Sequence, residues 1–160
     1  MFRNILVLCT ANICRSPLAE GLLRQRLQSR PEIVVHSAGV AALTGSAAHP
    51  IVVDLLQKDG VEIRSHRARQ CDLELLRQAD LVLVMDKTHL KWLSSSYPQF
   101  HGRGFLLGHW DKRREVPDPI GLPRETFEAV YAQIAAHCDQ WLGKALLPAT
   151  NPSAGRPDPS

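Results

Sequence analysis

The segment Leu6-Val7-Leu8-Cys9-Thr10-Ala11-Asn12-Ile13-Cys14-Arg15-Ser16-Pro17 joins an apolar run to the start of a helix. The apolar run stops at Cys9, and five residues then lead to Arg15, giving the pattern C-x5-R-S. Ser16 and Pro17 suit the cap and first-turn positions of a helix. In such a loop the backbone N–H groups can converge on one point, where the helix dipole also favours negative charge. The segment therefore predicts an anion-binding loop between a strand and a helix.

The side chains of this loop favour phosphate chemistry. Arg15 supplies a planar fork that matches two oxygens of a phosphoryl group. The positive field of the loop favours the thiolate form of Cys9, which is the nucleophilic form. Ser16 can donate a hydrogen bond to that thiolate, cap the helix, or do both. Asn12 tolerates the left-handed backbone that a tight loop needs.

These residues resemble a known family. Residues 9–16 resemble the signature loop of the low-molecular-weight protein tyrosine phosphatases, and the resemblance covers roughly residues 3–147. It continues through His36-Ser37-Ala38-Gly39, Ser65-His66-Arg67-Ala68-Arg69-Gln70, Val84-Met85-Asp86 and Pro117-Asp118-Pro119. Within the family, Gly108-His109-Trp110-Asp111 and Arg124-Glu125-Thr126-Phe127 are most similar to the bacterial exopolysaccharide-associated branch.

The resemblance implies a role for each motif residue. Cys9 would attack phosphorus and form a phosphocysteine, while Asp118, in a loop stiffened by two prolines, would be the general acid and then the base. Arg15 would hold the phosphate together with the loop residues Thr10, Ala11, Asn12, Ile13, Cys14 and Ser16. Ser37 and His66 would join Asn12 and Ser16 in a hydrogen-bonded network that supports the loop. The family also implies a reversible Cys9–Cys14 disulfide that protects the nucleophile, although a packed Cys14 thiol is an equal alternative.

The entrance to the predicted site departs from the family pattern. Ile120 stands where most members have an aromatic residue after Asp-Pro, and Leu43 stands where many have tryptophan or tyrosine. Position 120 therefore cannot be phosphorylated, and stacking of an enzyme ring on the substrate ring is lost at this position. The deep cleft that the resemblance implies still favours phosphotyrosine over the shorter phosphoserine.

Strand and helix signals alternate along the chain. The predicted strands cover residues 3–8, 33–36, 81–84 and 104–107, and the predicted helices follow Ser16, run from Pro50 to Gly60, cover residues 73–78 and 88–94, and extend from Phe127 to Leu146. This order predicts an α/β fold with a parallel sheet covered by helices on both faces, and the resemblance implies four strands. Cys9 and Asp86 both follow strands, so they should share the carboxyl edge where ligands bind. Residues 1–147 would form one phosphatase domain, and residues 148–160 a disordered tail.

Composition narrows the class of protein. The 160 residues are 44% hydrophobic with a net charge of +3, which suits one domain with a core and shows no basic stripe for nucleic acid. Residues 1–8 are too short for a signal peptide, and no run approaches the ~18 apolar residues of a membrane span. Four cysteines without a framework indicate a reducing compartment, and hence the cytoplasm. The histidine and cysteine spacings do not favour a metal site, and no cofactor motif occurs.

The sequence thus predicts a metal-independent protein tyrosine phosphatase. On resemblance alone, its substrate would be a bacterial tyrosine autokinase that controls polysaccharide export. The nearest alternative is an arsenate reductase on the same fold, with Cys71 as a possible relay. A phosphotyrosine-binding module without turnover, and a redox sensor built on Cys9 and Cys14, are alternatives of other classes.

Overall fold

The computed structural model describes residues 1–147, which form a single four-stranded sheet with helices on both faces. The order across the sheet is β2-β1-β3-β4, and every neighbouring pair is parallel. The strands are β1 (Asn4–Cys9), β2 (Val34–Gly39), β3 (Leu81–Val84) and β4 (Gly104–Leu106). The predicted α/β fold is confirmed.

The two inner strands are apolar on both faces because both faces are covered. Ile5 and Val7 of β1 point into one buried cluster, while Leu6 and Leu8 point into the other. All four side chains are at most 1% exposed. An uninterrupted apolar run is what a parallel strand with helices on both sides requires.

Five α-helices surround the sheet in the described part of the chain. They are α1 (Arg15–Arg26), α2 (Pro50–Lys58), α3 (Leu73–Gln78), α4 (Lys87–Ser96) and α5 (Arg124–Trp141). The buried cluster around Ile5 and Val7 holds residues of α1, α2 and α5, and the opposite cluster holds residues of α3 and α4.

Side chains set several of the helix ends. Asp72 caps α3 by accepting the Leu75 N–H at 2.9 Å, and Asp86 caps α4 by accepting the Thr88 N–H at 3.0 Å. Gly60 follows α2 with φ of 77°, a backbone conformation that glycine adopts without strain. The cap of Asp86 lets α4 begin shortly after β3 ends, and Gly60 lets the chain turn at the end of α2.

Two local predictions were wrong, and one short helix was not predicted. Cys14 precedes α1 as its cap residue without a side-chain cap bond, whereas Ser16 is the second helical residue and uses its hydroxyl elsewhere. The last helix begins at Arg124 and changes after Trp141 to a wider π-type turn over Leu142–Leu146. A short 3₁₀ helix at Pro98–Arg103 precedes β4. Its six residues are too few to show a helical repeat of apolar positions in the sequence.

The boundary between domain and tail stays a prediction. The disordered tail expected at residues 148–160 lies outside the described residues. Within residues 1–147, none of the helices has the length and apolar character needed to cross a membrane.

Candidate active site

Cys9 is the last residue of β1, and Arg15 is the first residue of α1. The loop between them lies at the carboxyl edge of the sheet, where β1 has β2 on one side and β3 on the other. Ligands bind at such switch points in α/β folds. A cleft at this edge is lined by Cys9, Thr10, Ala11, Ile13, Cys14, Arg15, Asp118 and Ile120. The structure thus brings the three predicted catalytic residues to one cleft.

A hydroxyl faces the sulfur of Cys9. The Sγ atom lies 2.9 Å from Oγ of Ser16, and Ser16 is fully buried. Asn12 Nδ2 donates to the same Oγ at 2.8 Å, so the Ser16 hydroxyl keeps its own hydrogen for the sulfur. The Ser16 hydroxyl is therefore a donor aimed at the sulfur of Cys9.

Asn12 organises the loop from within. Its backbone has φ of 62°, the left-handed conformation that asparagine tolerates, and its side chain is fully buried. Nδ2 also donates to Oγ of Ser37 at 3.0 Å, Oδ1 accepts the Arg69 N–H at 3.0 Å, and the carbonyl accepts Nε2–H of His66 at 2.8 Å. Asn12, Ser16, Ser37 and His66 therefore form the network that the resemblance implied.

Glu20 completes this network and was missed in the sequence. The Ser37 hydroxyl donates to Oε1 of Glu20 at 2.6 Å, and Arg24 pairs with Oε2 at 2.8 Å. Glu20 is only 8% exposed, which is rare for a carboxylate without such partners. Its position four residues after Ser16 on α1 was the available signal, because residues four apart share a helix face.

Arg15 is held by two acceptors before any anion arrives. Nη1 donates to Oδ2 of Asp86 at 3.0 Å and to the carbonyl of Val116 at 2.9 Å. Nη2 lies toward the cleft, 3.9 Å from Oδ2 of Asp118. Burial alone would raise the pKa of Asp86, but the hydrogen bonds from Thr88 and Arg15 outweigh it and lower the pKa. Asp86 therefore stays ionised and fixes the guanidinium.

Asp118 differs from Asn12, Arg15 and Ser16 because its side chain is half exposed. Its side chain is 50% exposed, and its Oδ1 accepts the Ile120 N–H at 3.1 Å. The cleft wall beside it is apolar at Ile120, which lines the cleft and is 41% exposed. The carboxyl group can thus meet a leaving group at the mouth of the cleft.

The remaining cysteines are buried thiols. Burial, followed by the nearby charges of Cys9 and Asp118, raises the pKa of Cys14 to about 12. Burial also raises the pKa of Cys71 and of Cys138 to about 12. All four cysteines are free, so the Cys9–Cys14 disulfide stays a prediction. No group of three or more metal-ligating side chains occurs among residues 1–147.

One histidine that contacts the loop was not identified by the sequence analysis. His89 is fully buried on α4, and its Nε2 lies 3.0 Å from Oγ1 of Thr10. Its Nδ1 accepts the backbone N–H groups of Met85 (3.3 Å) and Asp86 (3.2 Å). Burial lowers the pKa of His89 to about 4, so the ring is neutral. The signal was its spacing three residues after a capping aspartate.

Comparison with known proteins identifies the family. Residues 4–150 match the family model for low molecular weight phosphotyrosine protein phosphatase. The chain is 43% identical over 141 residues to the low molecular weight protein-tyrosine-phosphatase Wzb of Escherichia coli strain K12, covering 88% of this chain and 94% of Wzb.

Solved structures agree with this match. The tyrosine phosphatase Wzb from Escherichia coli K30, in complex with phosphate, has a TM-score of 0.82 and 40% identity over 90% of this chain and 99% of that chain. The YwlE arginine phosphatase of Geobacillus stearothermophilus has a TM-score of 0.82 and 31% identity over 89% and 92%. This chain belongs to the low molecular weight phosphotyrosine protein phosphatase family.

Proposed function

We propose that this protein hydrolyses phosphotyrosine through a phosphocysteine intermediate on Cys9. The observation that carries the proposal is one cleft lined by Cys9, Arg15 and Asp118, with Arg15 Nη2 3.9 Å from the Asp118 carboxylate. A nucleophile, an anion-binding fork and an acid at the mouth are the three groups that this reaction needs.

In the first step the Cys9 thiolate attacks phosphorus and the bond to the phenolic oxygen breaks. Asp118 transfers its proton to that oxygen, so tyrosine leaves as a neutral phenol. The equatorial oxygens are held by Arg15 and by the backbone N–H groups of the loop, which stabilise the charge of the transition state. The Ser16 hydroxyl supports this step because it directs a hydrogen bond at the attacking sulfur.

In the second step a water molecule replaces the thiolate on phosphorus. Asp118, now a carboxylate, takes a proton from the water while the sulfur–phosphorus bond breaks. Inorganic phosphate leaves and the Cys9 thiolate is restored. Both steps use the same anion site, so the fixed contacts of Arg15 to Asp86 and Val116 serve each of them.

The walls of the cleft support the proposed substrate class. Ala11, Ile13 and Ile120 line it beside the nucleophile, and these apolar groups suit an aromatic ring. Following the resemblance to the exopolysaccharide-associated branch and the similarity to Wzb, we propose a phosphorylated bacterial tyrosine autokinase as the partner. We also place the protein in the cytoplasm, because four free cysteines suit a reducing compartment.

The arsenate reductase alternative has less support. A relay would need a second thiol that can reach Cys9, yet Cys71 packs in the apolar cluster on the α3 and α4 face. Burial also raises its pKa to about 12, which keeps it protonated and poorly nucleophilic. The binding-module alternative does not explain the carboxylate of Asp118 at the mouth of the cleft, because binding without turnover needs no general acid.

The test is hydrolysis of phosphopeptides under reducing conditions with EDTA. Wild type, Cys9→Ser, Asp118→Asn and the matched control Cys71→Ser are assayed on phosphotyrosine, phosphoserine and phosphoarginine peptides, and on arsenate. We expect turnover of phosphotyrosine that is abolished in Cys9→Ser, reduced about 10²-fold in Asp118→Asn, and retained in Cys71→Ser.

Other outcomes would overturn parts of the proposal. Tight phosphopeptide binding without turnover in the wild type would indicate a binding module. Preferred turnover of phosphoarginine would change the substrate class, and arsenate reduction would change the reaction. Equal turnover of a phosphorylated autokinase tail and of an unrelated phosphotyrosine peptide would remove support for the autokinase partner.

A further inference from the structure

Thr10 follows the nucleophile and is held on two sides. Its carbonyl accepts the Ala41 N–H at 2.9 Å, and Gly39 packs so closely that a Cβ there would lie 2.5 Å from the Thr10 carbonyl oxygen. A side chain at position 39 would therefore displace this peptide. The close approach fixes the backbone of Thr10 against β2.

The side chain of Thr10 is fixed by His89. Because Nδ1 of His89 accepts two backbone N–H groups, it carries no hydrogen, and the neutral ring must hold its hydrogen on Nε2. The contact of 3.0 Å from Nε2 to Oγ1 of Thr10 is thus a hydrogen bond donated by histidine. If threonine donated to Nε2, the ring hydrogen would lie on Nδ1, where it would face the backbone N–H groups of Met85 and Asp86.

Arg15 supplies a second donor to the same oxygen. Its Nη2 lies 3.4 Å from Oγ1 of Thr10, on the side of the guanidinium that faces the cleft. Oγ1 already accepts two N–H donors, so the Thr10 hydroxyl can make a further hydrogen bond only by donating its own hydrogen. Thr10 is exposed and lines the cleft, so that hydrogen is accessible to a bound anion.

We propose that the Thr10 hydroxyl donates a hydrogen bond to a phosphoryl oxygen in the loop, and that His89 is the residue that positions it. An oxygen bound by Nη2 of Arg15 lies next to Oγ1, because these two protein atoms are 3.4 Å apart. The donor is polarised, since Oγ1 itself accepts from a histidine and an arginine. The inference rests on the proposed function and adds one donor to the phosphate site.

This donor is preorganised at little cost. A threonine on an open loop would lose rotamer freedom on binding, whereas here the histidine has already selected its orientation. His89 is in turn fixed by the start of α4, where it closes the capping box with Asp86. One short segment after β3 therefore orients both Arg15, through Asp86, and Thr10, through His89.

The test measures binding of inorganic phosphate, which is independent of turnover. Calorimetry compares wild type with Thr10→Val, Thr10→Ser and the matched control Thr126→Val, a residue outside the lining of the cleft. We expect the phosphate Kd to rise about 10-fold in Thr10→Val, since a hydrogen bond to a charged group is lost, and to stay within about threefold in Thr10→Ser and Thr126→Val. A Kd for Thr10→Val within twofold of wild type overturns the proposal.

A double-mutant cycle tests the role of His89. In the wild-type background His89→Leu should weaken phosphate binding about threefold, whereas in the Thr10→Val background it should have no further effect. His89→Gln should retain binding, because its amide can accept the backbone N–H groups and donate to Thr10. Equal losses from His89→Leu in both backgrounds would mean that His89 acts only on the fold.

These measurements separate the two proposals. Phosphate binding that follows the expected order, in a protein that does not hydrolyse phosphotyrosine, would reject the proposed function and keep the Thr10 donor. Phosphotyrosine turnover in the wild type, together with unchanged phosphate affinity in Thr10→Val, would keep the proposed function and reject the Thr10 donor. Melting temperatures of each variant confirm that affinities are measured on folded protein.

Discussion

The phosphate loop (residues 9–16) and the acid loop (residues 116–123) meet at one cleft but are built differently. Asn12 and Ser16 in the phosphate loop are fully buried, and their side chains are held by hydrogen bonds. In the acid loop Asp118 is 50% exposed, and Ile120 and Leu122 face solvent. The groups that we propose to hold the anion are fixed in advance, while the proposed general acid stays near water.

The difference follows from the chemistry asked of each loop. Charge on a phosphoryl group is stabilised best by donors that do not reorganise during the reaction. A general acid must instead give a proton to a leaving group and later take one from water, which requires contact with both. Changes in the phosphate loop should therefore cost more than changes in the acid loop.

Among variants that keep Cys9, the largest expected effect is from Arg15→Lys. A single ammonium cannot contact the Asp86 carboxylate, the Val116 carbonyl and a phosphoryl oxygen together, as the planar guanidinium does. We expect kcat/KM for a phosphotyrosine peptide to fall roughly 10³-fold. The exposed substitution Arg64→Lys is the control and should stay within twofold. A variant at position 15 that kept a tenth of the activity would show that the fixed fork is not needed.

The next effect is from Asp118→Asn, and it should depend on the leaving group. A poor leaving group such as phenol needs the proton, so phenyl phosphate hydrolysis should fall about 10²-fold. The loss should be several-fold smaller for 4-nitrophenyl phosphate, whose leaving group is stable as an anion. Asp139→Asn, an exposed aspartate on α5, serves as control. Equal losses for both esters would exclude Asp118 as the acid of the first step.

Much of the phosphate loop could be predicted from the sequence because its parts are local. The apolar run, Cys9, Arg15 and the following helix lie within twelve residues, and the loop and fold resemblance are confirmed by the family match and the parallel sheet. The prediction that Cys9 and Asp86 share an edge is also confirmed, since Asp86 reaches Arg15 at 3.0 Å. Residues that follow neighbouring parallel strands lie at the same edge of the sheet, so this proximity can be predicted without knowing any side-chain contact.

The contact between His89 and Thr10 could not be predicted because the two residues are far apart in the sequence. His89 is 79 residues from Thr10, and no local rule links a helix histidine to a loop hydroxyl. Ser16 was expected to donate to Cys9, to cap α1, or to do both, and the structure shows the contact to Cys9 without a side-chain cap bond on α1. The catalytic roles given to Cys9, Arg15 and Asp118 stay predictions until the variants are measured.

The third effect is on the free energy of unfolding, which should depend on pH through His89. Burial lowers the pKa of His89 to about 4, so between pH 6.5 and 4 the unfolded chain binds a proton that the folded chain rejects. Stability from this group is complete above about pH 6.5 and is lost as the pH falls toward 4. From pH 7 to pH 5 the loss is about 2 kcal/mol.

The comparison with His89→Gln isolates this residue. Other histidines with lowered pKa values, among them His36 and His137, are common to both proteins and cancel in the difference. Free energies of unfolding at the two pH values should show wild type losing about 2 kcal/mol more than the variant. Identical acid losses would mean that His89 does not reject a proton in the folded state.

The smallest effect tests the acid loop as the place where substrate preference is set. Ile120 lines the cleft and is 41% exposed, so an aromatic ring there can stack on the substrate ring without entering the core. Such a contact contributes about 0.5–1.5 kcal/mol, so Ile120→Tyr should lower KM for phosphotyrosine peptides roughly threefold. The kcat for phenyl phosphate, which depends on the phosphate loop and Asp118, should stay within twofold.

Leu122→Tyr is the control that gives this last result its meaning. Leu122 belongs to the same loop and is 50% exposed, but it does not line the cleft. A ring at position 122 should leave KM unchanged if stacking on the substrate causes the gain. An equal gain at both positions would point to general apolar attraction. A gain at position 120 alone would show that the exposed loop adjusts selectivity while the buried loop keeps the chemistry constant, which is the division that their different burial implies.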